Sequence, residues 1–127
     1  MSTTSKAPTT ILIVDDSPMV RQQVGRVLAS AGFVIAEAKD GAEALEKLEA
    51  SPKPALVFCD LNMPRMNGVE FLEYKRRVGS DVPVVMLSTE GHPRHVERAM
   101  ELGAKAWLIK PFNPQHLLVT AQKLSGE

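Results

Sequence analysis

An α/β domain, with a doubly wound five-stranded parallel sheet and helices on both faces, is the fold class this chain predicts. Three observations lead there. Five short apolar runs recur along the sequence, helical periodicity fills the gaps, and start and stop signals fall at the boundaries. Ile11-Leu12-Ile13-Val14 comes first; it is β-branched without polar alternation, the pattern of a strand buried on both faces. Ser17-Pro18 then reads as the N-cap and first residue of a helix whose apolar stripe is Val20, Val24, Val27 and Leu28. Gly32 stands where that helix needs a left-handed ending. Phe33 to Ala36 is the second strand, again expected to be buried on both faces. Asp40-Gly41-Ala42-Glu43 resembles a capping box before a helix carrying Ala44, Leu45 and Leu48.

Ala55 to Cys59 is the third run, followed by the least clean helix, Val69 to Val78, whose second half holds Lys75 and Arg76. Val82 to Leu87 is the fourth. Pro93 opens a helix with Val96, Ala99 and Met100 on one face, and Gly103 ends it. Ala106 to Ile109 is the fifth strand, and Asn113-Pro114 starts a last helix with Leu117, Ala121 and Leu124 inward. Five βα units account for residues 10–125; residues 1–9 read as a flexible tail, and no effector domain is expected. The pattern shows no internal repeat.

Composition narrows the function classes. Of 127 residues, 44% are hydrophobic and 24% charged, which suits a soluble globule and not a disordered chain. Fifteen Lys+Arg balance fifteen Asp+Glu, so the basic excess of a nucleic-acid binder is missing. One cysteine, Cys59, excludes an internal disulfide and reads as a core residue. No apolar stretch approaches the ~20 residues of a membrane span, and the polar N-terminus lacks a signal-peptide core. A cytoplasmic protein is expected.

In open parallel sheets, ligands bind outside the carboxyl ends of the strands. The residues falling there are Asp15 and Asp16 after the first strand, Asp60 with Asn62 after the third, Ser88 and Thr89 after the fourth, and Lys110-Pro111 after the fifth. Any one aspartate could be turn or cap chemistry. Three on one rim are another matter, since a pair ~5 Å apart repels by about 3 kcal/mol at an effective dielectric near 20. A hard divalent cation relieves that repulsion, and Mg²⁺ suits a few carboxylate oxygens plus water and phosphate. Asp60 then has the chemistry of a nucleophile that forms an aspartyl-phosphate. Lys110 would neutralise phosphoryl oxygens, with the Ser88 hydroxyl and nearby backbone N–H groups donating to them.

Four segments, in order and at the expected strand ends, make the chain resemble the receiver domain of two-component response regulators: Ile13-Val14-Asp15-Asp16-Ser17, Asp60-Leu61-Asn62-Met63-Pro64 with Gly68, Met86-Leu87-Ser88-Thr89-Glu90, and Lys110-Pro111-Phe112. The resemblance implies the flavodoxin-like strand order 2-1-3-4-5. It also implies that Asp60 accepts phosphate from a histidine kinase or a histidine phosphotransfer protein. Mg²⁺ would be held by Asp16, the Asp60 carboxylate and the Asn62 backbone carbonyl, with Asp15 acting directly or through water. Leu61 and Thr89 would offer backbone contacts to the phosphate, and Lys110-Pro111 would be a cis peptide.

In the family, a switch hydroxyl, here Ser88, moves toward the phosphoryl group and an aromatic, here Trp107, fills the space left. The surface of the fourth helix, fifth strand and fifth helix is thereby reshaped for a protein target. Tyrosine or phenylalanine is commoner at the Trp107 position, and the larger indole fits an inward pose less easily. Asn62 and Glu90 occupy the two positions that tune phosphate lifetime, matching the chemotaxis single-domain regulators that lose phosphate quickly. The resemblance therefore implies a monomeric, at most weakly dimerising, stand-alone regulator that is not an enzyme beyond its own phosphoryl transfer and dephosphorylation. A phosphorelay intermediate, a phosphate sink and a phosphate-independent scaffold are the alternatives.

Two other classes share parts of the pattern. A flavin carrier would need a hydroxyl- and glycine-rich loop where Asp15-Asp16-Ser17-Pro18 stands. An aspartate-nucleophile phosphatase would carry its nucleophile after the first strand. Separately, His92, Arg94, His95 and Arg98 read as a locally basic partner surface.

Overall fold

A computed structural model describes residues 8–50 and 52–126. The expected tail therefore lies outside the described residues over positions 1–7. Strands β1 (Thr10–Val14), β2 (Val34–Ala38), β3 (Leu56–Cys59), β4 (Val84–Ser88) and β5 (Ala106–Ile109) alternate with helices α1 (Pro18–Ala29), α2 (Gly41–Glu49), α3 (Gly68–Arg77), α4 (Pro93–Glu101) and α5 (Pro114–Ser125). All pairings are parallel, in the order β2-β1-β3-β4-β5.

The order explains where the burial expectation fails. β1, β3 and β4 have neighbours on both sides and bury every residue. β2 and β5 are the edges. Val34 and Glu37 of β2 are exposed, and Ile109 of β5 is half in solvent. An apolar run thus marks a strand without telling a central strand from an edge. Phe33 packs inward just before β2 begins, and Val82-Pro83 precede β4 as a loop.

Alternation along the central strands divides the core in two. Leu12, Val14, Val57, Cys59, Val84 and Met86 meet α2, α3 and α4 through Ala44, Leu48, Phe71, Leu72 and Ala99. Ile11, Ile13, Leu56, Phe58, Val85 and Leu87 meet α1 and α5 through Val24, Leu28, Leu117 and Ala121. Met100, expected inward on α4, is exposed, because only the Ala99 line of that short helix reaches the core.

The helix starts follow their signals. Ser17 and Asn113 accept backbone N–H bonds ahead of Pro18 and Pro114, and His92 caps α4 before Pro93. At α2, Asp40 Oδ1 accepts the Glu43 N–H, but Glu43 reaches back to the Lys39 N–H instead of Asp40, so only half of the capping box forms. The complete reciprocal box lies at α3, between Asn67 and Glu70. Gly32 and Gly103 are left-handed, as their helix endings require. The Lys75 ammonium donates to the Ser80 carbonyl, and burial, with help from Lys105, pulls its pKa down.

Candidate functional site

Register places the acids. Val14 and Cys59 are partners across β1 and β3, so the next residue on each strand, Asp15 and Asp60, emerge side by side at the carboxyl edge. The Asp60 N–H donates to the Val14 carbonyl at 2.8 Å and the Asp15 N–H to the Ala38 carbonyl at 3.1 Å. Carboxylate oxygens of Asp15, Asp16 and Asp60 lie within 4.8 Å of one another. Asp15 and Asp60 are buried while Asp16 faces solvent.

Lys110 arrives from the opposite end of the sheet. Ser88 and Ile109 are partners, and the Lys110 N–H donates to the Ser88 carbonyl at 2.7 Å. The Lys110-Pro111 peptide is cis. Its ammonium stands 2.8 Å from Asp15 Oδ2 and 3.4 Å from Asp60 Oδ1. Asp15 Oδ1 also accepts the Ser17 N–H at 2.9 Å.

Charge is left over in this arrangement. Burial first, then the Asp15 charge, push the Asp60 carboxyl above its ordinary value, and Lys110 only partly offsets them. Burial works against the Lys110 charge, yet Asp15 and then Asp60 hold its ammonium above the usual lysine range. The neighbouring Cys59 thiol is pushed up by full burial and by both acids, which fits a core residue and not a reactive one. One ammonium, in contact with two of the three clustered carboxylates, leaves the donor set deficient in positive charge. All-oxygen ligands with an exposed third acid suit a hard divalent cation that keeps waters.

The remaining expected residues fall around this cluster. The Ser88 side chain is fully buried, its Oγ accepting the Glu90 N–H at 3.3 Å. Thr89 is exposed and lines, with Val20, Val27, Lys110 and Phe112, a largely apolar groove of about 540 Å³ beside the acids. Asn62 is exposed in the β3–α3 loop, and the Leu61 backbone N–H bonds the Asp60 carboxylate. Trp107 is half-buried, and its indole Nε1 donates to the Glu90 carbonyl at 2.9 Å, tying β5 to the β4–α4 loop.

Glu90 is held in turn. Oε1 accepts the His92 N–H at 2.7 Å and Oε2 lies 2.6 Å from His95 Nδ1, contacts that keep its carboxyl below the ordinary value. The basic surface read from α4 is accordingly much reduced. His95 faces Glu90, while Arg98 pairs with Glu73 and Glu101.

A model of the response regulator receiver domain matches residues 11–122. The chain belongs to that family. This receiver is 39% identical over 114 residues to chemotaxis protein CheY of Treponema pallidum, covering 88% of the chain and 79% of that protein. It is 40% identical over 121 residues to the protein-glutamate methylesterase/protein-glutamine glutaminase of the same organism, covering 90% of the chain but only 30% of the enzyme. Among solved structures, CheY4 of Vibrio cholerae superposes with a TM-score of 0.85 at 39% identity, over 93% of the receiver and 99% of CheY4. A CheY-like receiver of a response regulator in two-component signalling is therefore established. Among the described residues, no helix is long and apolar enough to cross a membrane.

Two contacts in the receiver site go beyond the sequence expectations. Arg21 Nη1 donates to the Asp15 carbonyl at 2.6 Å, and Arg65, on the β3–α3 loop, pairs with buried Asp40 at the start of α2. Arg21 had a signal available, since it stands three residues before Val24 and seven before Leu28, on the inward stripe of α1. Arg65 had none: it adopts φ +68°, where glycine would be the natural choice.

Proposed function

We propose that Asp60 is the phosphoacceptor of a Mg²⁺-dependent receiver, taking its phosphoryl group from the phosphohistidine of a kinase or phosphotransfer protein. One observation carries the reading: the carboxylates of Asp15, Asp16 and Asp60 within 4.8 Å of one another, with the Lys110 ammonium between two of them. An Asp60 oxygen bonds to phosphorus as the phosphorus–nitrogen bond of the donor breaks, and the imidazole leaves with that electron pair. Lys110 holds positive charge against the transferring oxygens, and the Ser88 hydroxyl with the Leu61 and Thr89 N–H groups donates to them. Asp16, Asp60 and the Asn62 carbonyl are the residues that would hold Mg²⁺. Asp15, whose two oxygens already serve Ser17 and Lys110, would act through water. Bound there, Mg²⁺ supplies charge neutralisation and a template for the phosphoryl oxygens.

Loss of phosphate reverses the bond. Water attacks phosphorus, the bond to Asp60 breaks, and the carboxylate is restored with release of inorganic phosphate. Asn62 and Glu90 stand two residues after Asp60 and two after Ser88, the positions that tune phosphate lifetime in the family, which supports a short-lived phosphoryl group. The apolar groove beside Lys110 suits the docking of a protein donor. For output, exposed Met100, Ile109 and Val119 give α4, β5 and α5 an apolar face suited to a protein target. Nucleic acid is not expected as a direct partner, given the balanced charge.

The test is incubation with Mg²⁺ and acetyl phosphate followed by intact mass. One phosphoryl group is expected on the wild type and none on Asp60→Asn. A wild type that gains no mass, or an Asn variant that gains it equally, overturns the reading.

A further inference from the structure

Both loops that carry the site acids are tied to one corner of the fold, the junction of β2 and α2. On one side stands Arg21, whose guanidinium donates from Nη1 to the Asp15 carbonyl at 2.6 Å and from Nε to Glu37 Oε1 at 2.8 Å. Glu37 is the penultimate residue of β2, and the Arg21 side chain is only 17% exposed. On the other side, Arg65 pairs with Asp40 Oδ2, while Asp40 Oδ1 caps α2. Met66 follows and lies directly on Gly41: a Cβ there would stand 2.7 Å from Met66 Sδ.

We propose that this corner is a positioning device for the phosphoacceptor site, in which Glu37 and Asp40 hold Arg21 and Arg65, and these fix the two acid-bearing loops. The inference rests on the phosphoacceptor reading above. The sheet orders each acid only as far as its N–H, through Ala38 and Val14. Beyond that point the chain leaves the ladder, and buried like charges favour separation of the loops. Arg21 takes the carbonyl of the peptide joining Asp15 to Asp16, so it sets the plane from which Asp16 projects. Arg65 acts on the loop bearing the Asn62 carbonyl. A left-handed backbone at a residue with a Cβ persists where its surroundings over-determine it. The buried Asp40 carboxylate, with one oxygen on the Glu43 N–H and the other on the Arg65 guanidinium, contributes to that determination.

Both guanidinium groups are engaged by the protein, Arg21 by Glu37 and the Asp15 carbonyl and Arg65 by Asp40. Their removal should act on site geometry, as loss of an outer-shell partner does at a metal centre, costing about ten-fold in affinity. Three variants separate the arms. Arg65→Gly removes the ion pair and the backbone strain together, Asp40→Asn keeps the α2 cap but drops the pair, and Arg21→Gln loses the charged fork that spans Asp15 and Glu37.

Mg²⁺ affinity by calorimetry and the acetyl-phosphate labelling rate by intact mass are read on each, with melts in chelator as the folding control. Each single variant is expected to weaken Mg²⁺ binding by about ten-fold and to slow labelling. Arg65→Gly with Asp40→Asn should be no weaker than either alone, because they break one contact. Arg21→Lys should recover part of the Arg21 loss. Mg²⁺ affinity within about two-fold of wild type in Arg65→Gly and Asp40→Asn overturns the proposal, as does a double variant whose loss is the product of the singles. If Arg21→Gln fails to fold, the Arg65–Asp40 arm decides. A wild type that takes no label overturns the phosphoacceptor reading itself, whereas a labelled wild type with unaffected variants overturns this inference alone.

Discussion

Asp60→Asn is expected to stabilise the fold at pH 7 in the absence of divalent cations. At an effective dielectric near 20, Lys110 at 3.4 Å attracts the Asp60 carboxylate by about 5 kcal/mol, and Asp15 within 4.8 Å repels it by at least about 3.5 kcal/mol. Coulomb terms therefore leave at most about 1.5 kcal/mol in favour of the charge. Removing a carboxylate from water costs several kcal/mol, and Asp60 is only 7% exposed. Desolvation wins, in agreement with the upward displacement of its pKa.

A neutral amide of the same shape escapes both terms, for a gain of about 1–2 kcal/mol, or a rise of about 4–8 °C in Tm for a domain of this size. The pH dependence has a definite sign. Because the folded-state pKa lies above the ordinary 3.8, the protonated form contributes stability that is complete below that value and lost as pH rises through the folded pKa. The advantage of Asn is thus largest at neutral pH and fades toward about pH 4. Differential scanning calorimetry at several pH values measures it. An Asn variant melting at or below the wild type at pH 7 in chelator would refute the reasoning, and saturating Mg²⁺ should shrink the difference by binding only the wild-type site tightly.

Lys110→Met leaves buried Asp15 and Asp60 without their cation and should cost about 2–4 kcal/mol by urea titration at pH 7, less as acid protonates Asp60. A midpoint unchanged at neutral pH would contradict this. Gly68→Ala puts a Cβ 2.5 Å from the Asp60 carbonyl oxygen, a backbone atom that cannot yield, so a loss of about 3 kcal/mol or more is expected. Gly41→Ala meets Met66 at Sδ, Cγ and Cβ and should cost about 1 kcal/mol, partly recovered in combination with Met66→Ala, which removes the first two contacts. Trp107, the single tryptophan, should change its emission when Mg²⁺ and beryllofluoride are added together, and not in Asp60→Asn. An unchanged spectrum in the wild type would detach Trp107 from the site.

Much of this architecture is readable without coordinates because it depends on local rules. Ser17-Pro18 and Asn113-Pro114 satisfy orphan N–H groups whatever packs around them, and each of the five apolar runs coincides with most of a strand. Position within the sheet is a different kind of information. Nothing in Val34-Ile35-Ala36 says that one side will lack a neighbour, because that depends on which strand the chain returns to. The acids and Lys110 were legible because each directly follows a strand, and parallel register carries strand ends to one rim. The supporting contacts were not. Arg65 and Asp40 are 25 residues apart and meet where the β3–α3 loop turns left-handed at Arg65 itself. The charges on α4 misled for a similar reason, since Glu73 lies on another helix.

The two rims of the sheet differ in how they tolerate changes of length. At the carboxyl rim the site is assembled by counting: one residue inserted between Val14 and Asp15 would carry the acid out of step with Asp60, whatever its chemistry. The opposite rim holds Gly32, Gly79 and Gly103, each left-handed, with open space for at least 4 Å around the point where a Cβ would stand. Turns there can lengthen without disturbing any strand partner. A tag, a reporter loop or a fused domain spliced at Gly79 would ride on the back of the molecule, leaving the acids at the other rim in register.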